Sequence, residues 1–124
     1  MRACTYDVPG KDGAQVWVTV LPGPAGGVLM NLNRWRSELG LGAMTDEDLG
    51  KLPQVRVLGS DSAFLEAEGR YQGMSGPPID DALLFGVVCE LGDALVFVKM
   101  VGRKADILEE RSHFLAFCES LSTG

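Results

Sequence analysis

Two nearly continuous apolar segments, separated by one glycine–aspartate pair, constrain the fold more than any other feature of this sequence. Residues 82–91 and 94–101 are almost wholly apolar, and Gly92-Asp93 lies between them. Such a pair is typical of a tight turn between antiparallel strands. Strands that lack alternation of apolar and polar residues are usually covered on both faces. The sequence therefore predicts a central hairpin with other elements packed on both sides.

Alternating side chains predict the other strands. Residues 4–8 and 15–21 alternate and are separated by the turn-forming stretch 9–13, which predicts a second hairpin. Two shorter strands are expected around 55–57 and 63–68, joined by a turn at 59–62. The stretch 69–81 has no period and contains glycines and prolines, so we expect a long irregular connection there.

Three segments have helical periodicity. Residues 28–39 carry an apolar stripe, and Gly40 follows as a helix cap. Thr45 precedes three acidic residues, which predicts the N-cap of a short helix that Pro53 stops. Residues 105–121 predict one amphipathic helix, whose apolar side carries Ile107, Leu108, Phe114, Phe117, Cys118 and Leu121. The expected fold class is α+β, a single domain over 1–124 with a twisted antiparallel sheet and helices packed on its faces.

Net charge limits the classes of partner. The chain carries 17 acidic and 11 basic residues, a net charge of −6, and this charge repels nucleic-acid phosphates and anionic membranes. No apolar run approaches the roughly 20 residues that span a bilayer. The N-terminus lacks the apolar region of a signal peptide, so the sequence as written predicts a soluble, untargeted protein.

Few residues are suited to catalysis or to metal binding. His113 is the one histidine, and no G-x-S-x-G motif accompanies it. Cys4, Cys89 and Cys118 lie in apolar segments without metal-ligand spacing, which indicates buried free thiols. We therefore expect no enzyme activity, no cofactor and no metal. A catalytic site made of Asp, Arg and Tyr alone stays open as an alternative.

Two segments are candidates for binding. Trp35, a predicted core residue, is surrounded by Asn31, Asn33, Arg34 and Arg36. Asparagine is a poor helix former, so its presence here favours a role for the amide. Tyr71 and Met74 lie in the predicted 69–81 connection and suit adaptable contacts. These residues predict a non-enzymatic binding or accessory domain that recognises a protein or small ligand. The alternative is an anion or small-molecule site at the helix start Gly26-Gly27, completed by Arg34 or Arg36.

Three stretches resemble a known group of proteins: LPGPAGG at 21–27 leading into NLNRWR at 31–36, VFVKMVG at 96–102, and ERSHFLAFCESL at 110–121. Together they resemble uncharacterised bacterial proteins of planctomycete and verrucomicrobium type, often secreted or lipoprotein-like. The resemblance implies that the parent protein is extracytoplasmic. That group usually has a further N-terminal strand and a targeting segment. Their absence implies a truncated or shortened chain whose open sheet edge can pair in a homodimer.

The expected order of elements also resembles the α/β/α sandwich of the PsbP and Mog proteins. That resemblance implies an accessory role, since PsbP-like proteins are non-catalytic subunits and Mog binds a small GTPase. No motif of either family matches this chain position by position, so no functional residue is carried over.

Overall fold

The computed structural model describes residues 2–7, 15–22, 27–73 and 77–121. Gly26, Met74 and the turn expected at 9–13 lie outside these ranges. The elements are, in chain order, β1 (Arg2–Asp7), β2 (Gln15–Pro22), α1 (Gly27–Glu38), α2 (Asp46–Gly50), β3 (Gln54–Val57), β4 (Ser60–Tyr71), β5 (Ile79–Leu91), β6 (Ala94–Arg103), α3 (Lys104–Leu108) and α4 (Arg111–Ser120).

The strands form an antiparallel sheet in the order β1-β2-β6-β5-β4-β3, which confirms the α+β class. The predicted central hairpin is confirmed, because Leu91 pairs with Ala94 on either side of a two-residue turn. Gly92 has a φ of 58° there, a left-handed conformation that glycine adopts without steric cost. Every residue of β5 from 82 to 89 is buried, as its unbroken apolar sequence predicts.

Helices cover both faces of the sheet. On the face that we call the α1 face, Leu32 and Trp35 of α1, together with Leu39 directly after it, pack on β4, β5 and β6. On the opposite face, called the α4 face, the buried residues from α3 and α4 are Ile107, Phe114 and Cys118. Cys89 and Cys118 are buried free thiols, as predicted, and burial raises the pKa of Cys118 to about 12.

Main-chain and side-chain caps fix the ends of α1 and α2. Gly40 has a φ of 74° and donates to the Ser37 carbonyl, while Leu41 donates to the Arg36 carbonyl. This pair of bonds is a Schellman cap and confirms the predicted stop at Gly40. Thr45 and Asp48 exchange side-chain and main-chain hydrogen bonds in a capping box, which confirms Thr45 as the N-cap of α2.

The connection expected at 69–81 is wrong in extent. β4 continues to Tyr71 and β5 begins at Ile79, so Tyr71 lies in a strand and pairs with Ile79. A register shift between Gly69 and Tyr71 carries the pairing past the glycine. The turn before β4 is also shorter than predicted, because Leu58 and Gly59, with φ of 52° and 81°, complete it. The pairing of β4 with β5 therefore extends both strands into residues whose sequence has no strand periodicity.

The single helix predicted over 105–121 is two helices, α3 and α4, separated at Glu109-Glu110. α3 contacts β5 and β6 near the middle of the sheet, whereas α4 contacts β3 at one edge of the same face. A straight helix cannot follow both directions, so the chain turns between them. Leu108 consequently points outward and is 48% exposed, although the sequence places it on the apolar side.

Close packing between α1 and the sheet predicts the effect of filling Gly86. A methyl group at this position would lie 2.5 Å from the Trp35 ring, so Gly86→Ala should lower the free energy of unfolding by roughly 1–3 kcal/mol. Gly42→Ala is the matched control, because nothing lies within 4 Å of a methyl group there. Urea denaturation measures both. Equal stability of the two variants would contradict the tight contact.

Candidate functional site

The candidate functional site lies where β4 diverges from β5. Residues 60–63 of β4 pair with β3, whereas β4 pairs with β5 only from Phe64 onward. The last rung between β4 and β5 joins Phe64 to Val87. Beyond that rung the two strands separate and leave a groove, which we call the fork groove. It opens on the α1 face of the sheet.

The hydrogen-bond pattern shows which peptide groups face the fork groove. Leu91 and Ala94 flank a two-residue turn, so they form a hydrogen-bonded pair, and alternate residues of β5 bond to β6. Glu90, the neighbour of Leu91, therefore directs its N–H and C=O toward β4. The Phe64 amide donates to the Pro53 carbonyl and therefore points toward β3. Peptide groups of successive residues in a strand point to opposite sides, so Asp61, three residues earlier, directs its N–H and C=O toward β5. Neither residue pairs across the groove in the described ladders.

Elements around the sheet supply the walls of the fork groove, whose volume is about 480 Å³. This volume falls in the range of ligand pockets. Val88 and Ala63 form an apolar floor, and Val28 and Leu49 add apolar walls. The remaining lining residues are polar or small: Asp46, Gly50, Gln54, Ser60, Asp61, Ser62 and Glu90.

The charge of the fork groove is negative. Asp46, Asp61 and Glu90 are exposed carboxylates on its rim. Asp61 has a partner, Arg56, whose Nη1 lies 3.2 Å from its Oδ1, and both side chains are more than 60% exposed. Asp46 and Glu90 have no ion-pair partner among the residues that the structure describes. An apolar floor beneath uncompensated carboxylates suits a cationic ligand with apolar groups.

The residues predicted on α1 mostly hold the neighbouring loop. Asn33 donates to the Met44 carbonyl at 3.1 Å and accepts from the Met44 amide at 2.7 Å. Arg36 donates from Nε to the Gly42 carbonyl at 2.7 Å. Asn31 is buried and donates to the Gly27 carbonyl. The Asn33 and Arg36 contacts order the segment between α1 and α2, whereas the Asn31 contact lies within the first turn of α1.

Arg34 and Tyr71, the other described candidates, lie near a second feature of the α1 face. Arg34 is exposed above the Phe97 ring, 5.9 Å from its centroid. Tyr71 is half-buried and its hydroxyl lies 3.3 Å from the Lys99 ammonium. The two segments that the sequence singled out, α1 and the region of Tyr71, therefore lie close together. The contacts of Lys99 with Glu38 and Tyr71 connect them.

Lys99 occupies an enclosure of aromatic rings, which we call the lysine box. Its ammonium lies 5.3, 5.7 and 5.1 Å from the ring centroids of Trp17, Trp35 and Tyr71. It donates to Glu38 at 2.7 Å, and the two side chains are only 12% and 18% exposed. Burial lowers the pKa of Lys99, while the Glu38 bond acts in the opposite direction. The lysine box thus ties the last turn of α1 to β6.

Sequence reasoning missed the residues that form both features. No sequence motif identifies Glu90 and Asp61 as members of one site, because their proximity depends on where β4 leaves β5. Lys99 carried a signal: it is the single charged residue within the apolar run 94–101. A charge in such a strand requires a partner, which the structure identifies as Glu38.

Other candidate groups lie apart from these features. His113 is 75% exposed and contacts Glu110 at 3.3 Å on the outer side of α4. Within the described residues no three of His, Cys, Asp or Glu converge as metal ligands. No helix in the described part of the chain has the length and apolar content that a bilayer crossing requires.

Comparisons with known proteins show the fold alone. No protein-family model matches the chain, and no curated protein matches it by sequence. The structure is similar to that of PA94 from Pseudomonas aeruginosa, a protein of unknown function suggested to be a regulator. The TM-score is 0.60 at 12% identity, over 100% of this chain and 85% of that one. Similarity at this level carries no activity from one protein to the other.

The lysine box predicts a large loss of stability when its cation is removed. Lys99→Ala leaves the Glu38 carboxylate poorly hydrated and unpaired, so the free energy of unfolding should fall by about 3 kcal/mol. Lys104→Ala is the control, because its 3.0 Å pair with Glu68 is more exposed and should contribute much less to stability. Chemical denaturation compares them. Equal losses of stability in the two variants would show that the Lys99–Glu38 pair contributes no more than an exposed ion pair.

Tyr71 should ionise only at high pH. Burial, followed by the negative charge of Glu38, raises its pKa from 10.0 to about 12. The folded state favours the neutral phenol, so its contribution to stability is fully present below pH 10 and is lost as pH rises through about 12. Near-ultraviolet titration of the wild type minus Tyr71→Phe should isolate this step. A difference curve with its midpoint at 10 would contradict the burial of the phenol.

Proposed function

We propose that this domain is a non-catalytic binding module that receives a basic segment of a partner protein in the fork groove. The supporting observation is the combination in one groove of an apolar floor, at Val88 and Ala63, with the carboxylates of Asp46, Asp61 and Glu90. A net charge of −6 extends the attraction beyond the groove and favours encounter with a positively charged partner.

The contacts of the two arginines and the charge of the groove give less support to an anion-binding function. Arg36, which would bind the anion, already donates to the Gly42 carbonyl, and Arg34 lies over Phe97. The three carboxylates of the fork groove would repel an anion. We therefore prefer a cationic partner to the anion site expected at Gly26-Gly27.

We further propose that the layered arrangement is of the PsbP and Mog kind. Its support is the presence of α1 on one face of the antiparallel sheet and of α3 and α4 on the other. An accessory role for this domain agrees with that architecture, but the fork groove and its charge carry the functional argument.

Self-association is the main competing use of the sheet. Strands β1 and β3 are the outer strands among those described, and each has one unpaired side on which a second copy can add. Two copies of a chain with net charge −6 repel each other, so we favour a partner of opposite charge.

A charge-alternating peptide tests the proposed function. The probe is acetyl-Lys-Val-Lys-Val-Lys-amide, and its counterpart has glutamate in place of lysine. We expect the lysine peptide alone to shift the backbone amide resonances of Ala63, Val88 and Glu90 in a titration followed by NMR. Salt should weaken the binding, because exposed charge pairs are screened.

Matched variants identify the groove as the site. Asp61→Asn with Glu90→Gln should weaken binding roughly fivefold or more, at about 0.5–1 kcal/mol for each lost pair. Asp81→Asn with Glu119→Gln removes the same charge from exposed positions outside the groove and should leave the affinity nearly unchanged. Equal binding of both peptides, or equal loss in both variants, would overturn the proposal. Sedimentation of the free protein reports self-association separately.

A further inference from the structure

The open side of β5 indicates how a partner segment would enter the fork groove. We infer that the segment binds as a β-strand, pairing its main chain with Glu90 and placing basic side chains beside Glu90 and Asp61. This inference rests on the proposed function and adds to it the conformation, the register and the sequence pattern of the partner.

Main-chain geometry supplies the first argument. β4 covers β5 only as far as the Phe64–Val87 rung, while β5 itself continues to Leu91. Beyond the rung, the N–H and C=O of Glu90 point away from β6 into the groove. Peptide groups on the free side of a strand accept another strand by forming the next ladder. The adjacent β4 residues, which would otherwise fill this place, are paired with β3.

The faces of the sheet supply the second argument. Residues directly opposite each other in a ladder have their side chains on the same face. A residue that exchanges hydrogen bonds with Glu90 therefore directs its side chain to the α1 face, where Glu90, Asp61 and Asp46 lie. Its two neighbours direct their side chains to the α4 face, beside Leu91, which is only partly buried against the apolar cluster.

Main-chain pairing and side-chain direction together specify one pattern for the partner. Basic residues occupy the positions whose main chain pairs with β5, and apolar residues alternate with them. Phe64 and Val87 form a non-hydrogen-bonded pair, so the bonds of that rung reach Val88, and the free stretch of β5 has three residues, 89–91, or about 10 Å of strand at roughly 3.3 Å per residue. A pentapeptide spans that length, so the lysine–valine probe is long enough.

N-methylation of the probe separates strand pairing from charge attraction. One peptide carries N-methyl groups on its lysines and a second carries them on its valines, so the charge and the side chains stay the same. A methyl group replaces the donor hydrogen and adds bulk on the side that faces the pairing strand. We expect methylation of the lysines to weaken binding at least tenfold and methylation of the valines to change it less than threefold.

The possible results are distinguishable. Selective loss with the N-methyl-lysine peptide, together with shifts of the Glu90 amide resonance, supports strand pairing in the stated register. Equal affinities for both methylated peptides, or selective loss with the N-methyl-valine peptide, overturn the inference while the proposed function stands. Failure of the unmethylated peptide to bind overturns both. Asp61→Asn with Glu90→Gln should weaken the unmethylated and N-methyl-valine peptides alike, because it changes charge and not pairing.

Discussion

The contact between Trp35 and Gly86 determines how α1 lies on the sheet. The ring takes the space that any side chain at position 86 would fill, and it packs edge-on against Phe97 at 5.8 Å between centroids. Gly69 admits the main chain of Leu39 in the same way. Two glycines in central strands thus allow the helix to approach closely, and the lysine box then fixes its last turn. α1 therefore covers the middle of the sheet and leaves the fork groove open beyond its first turn.

Competition between two packing partners accounts for the fork. The β3–β4 hairpin buries Val55 and Val57 in the α4-face cluster with Phe114 and Cys118. The Cys89 thiol also donates to the Val57 carbonyl at 3.4 Å, which holds β3 against that face. The first four residues of β4 follow this hairpin instead of continuing along β5. Burial of apolar side chains offsets the loss of ladder hydrogen bonds, since each such bond adds only about 1 kcal/mol net.

The two charged features of the α1 face have opposite relations to solvent. In the lysine box a cation is buried among rings and a carboxylate, and it serves the fold by joining α1 to β6. In the fork groove the carboxylates are exposed, and Asp46 and Glu90 have no ion-pair partner within the described ranges, so they stay available to a ligand. Paired, buried charges stabilise an arrangement, whereas unpaired charges around an apolar floor favour association. This contrast separates a structural site from a recognition site within one surface.

The sequence by itself determined the elements whose signals are local. The apolar runs on either side of Gly92-Asp93 specified the central hairpin, and the stripe from Leu32 to Leu39 with Gly40 specified α1 and its end. Tertiary structure alone decided the length of β4, the break between α3 and α4, and the placement of Asp61 and Glu90 around one groove. These depend on which partner each strand or helix finds across the sheet, and Asp61 and Glu90 are far apart in the chain. Periodicity reports the face of an element, but the neighbour against that face is selected only when the whole core packs.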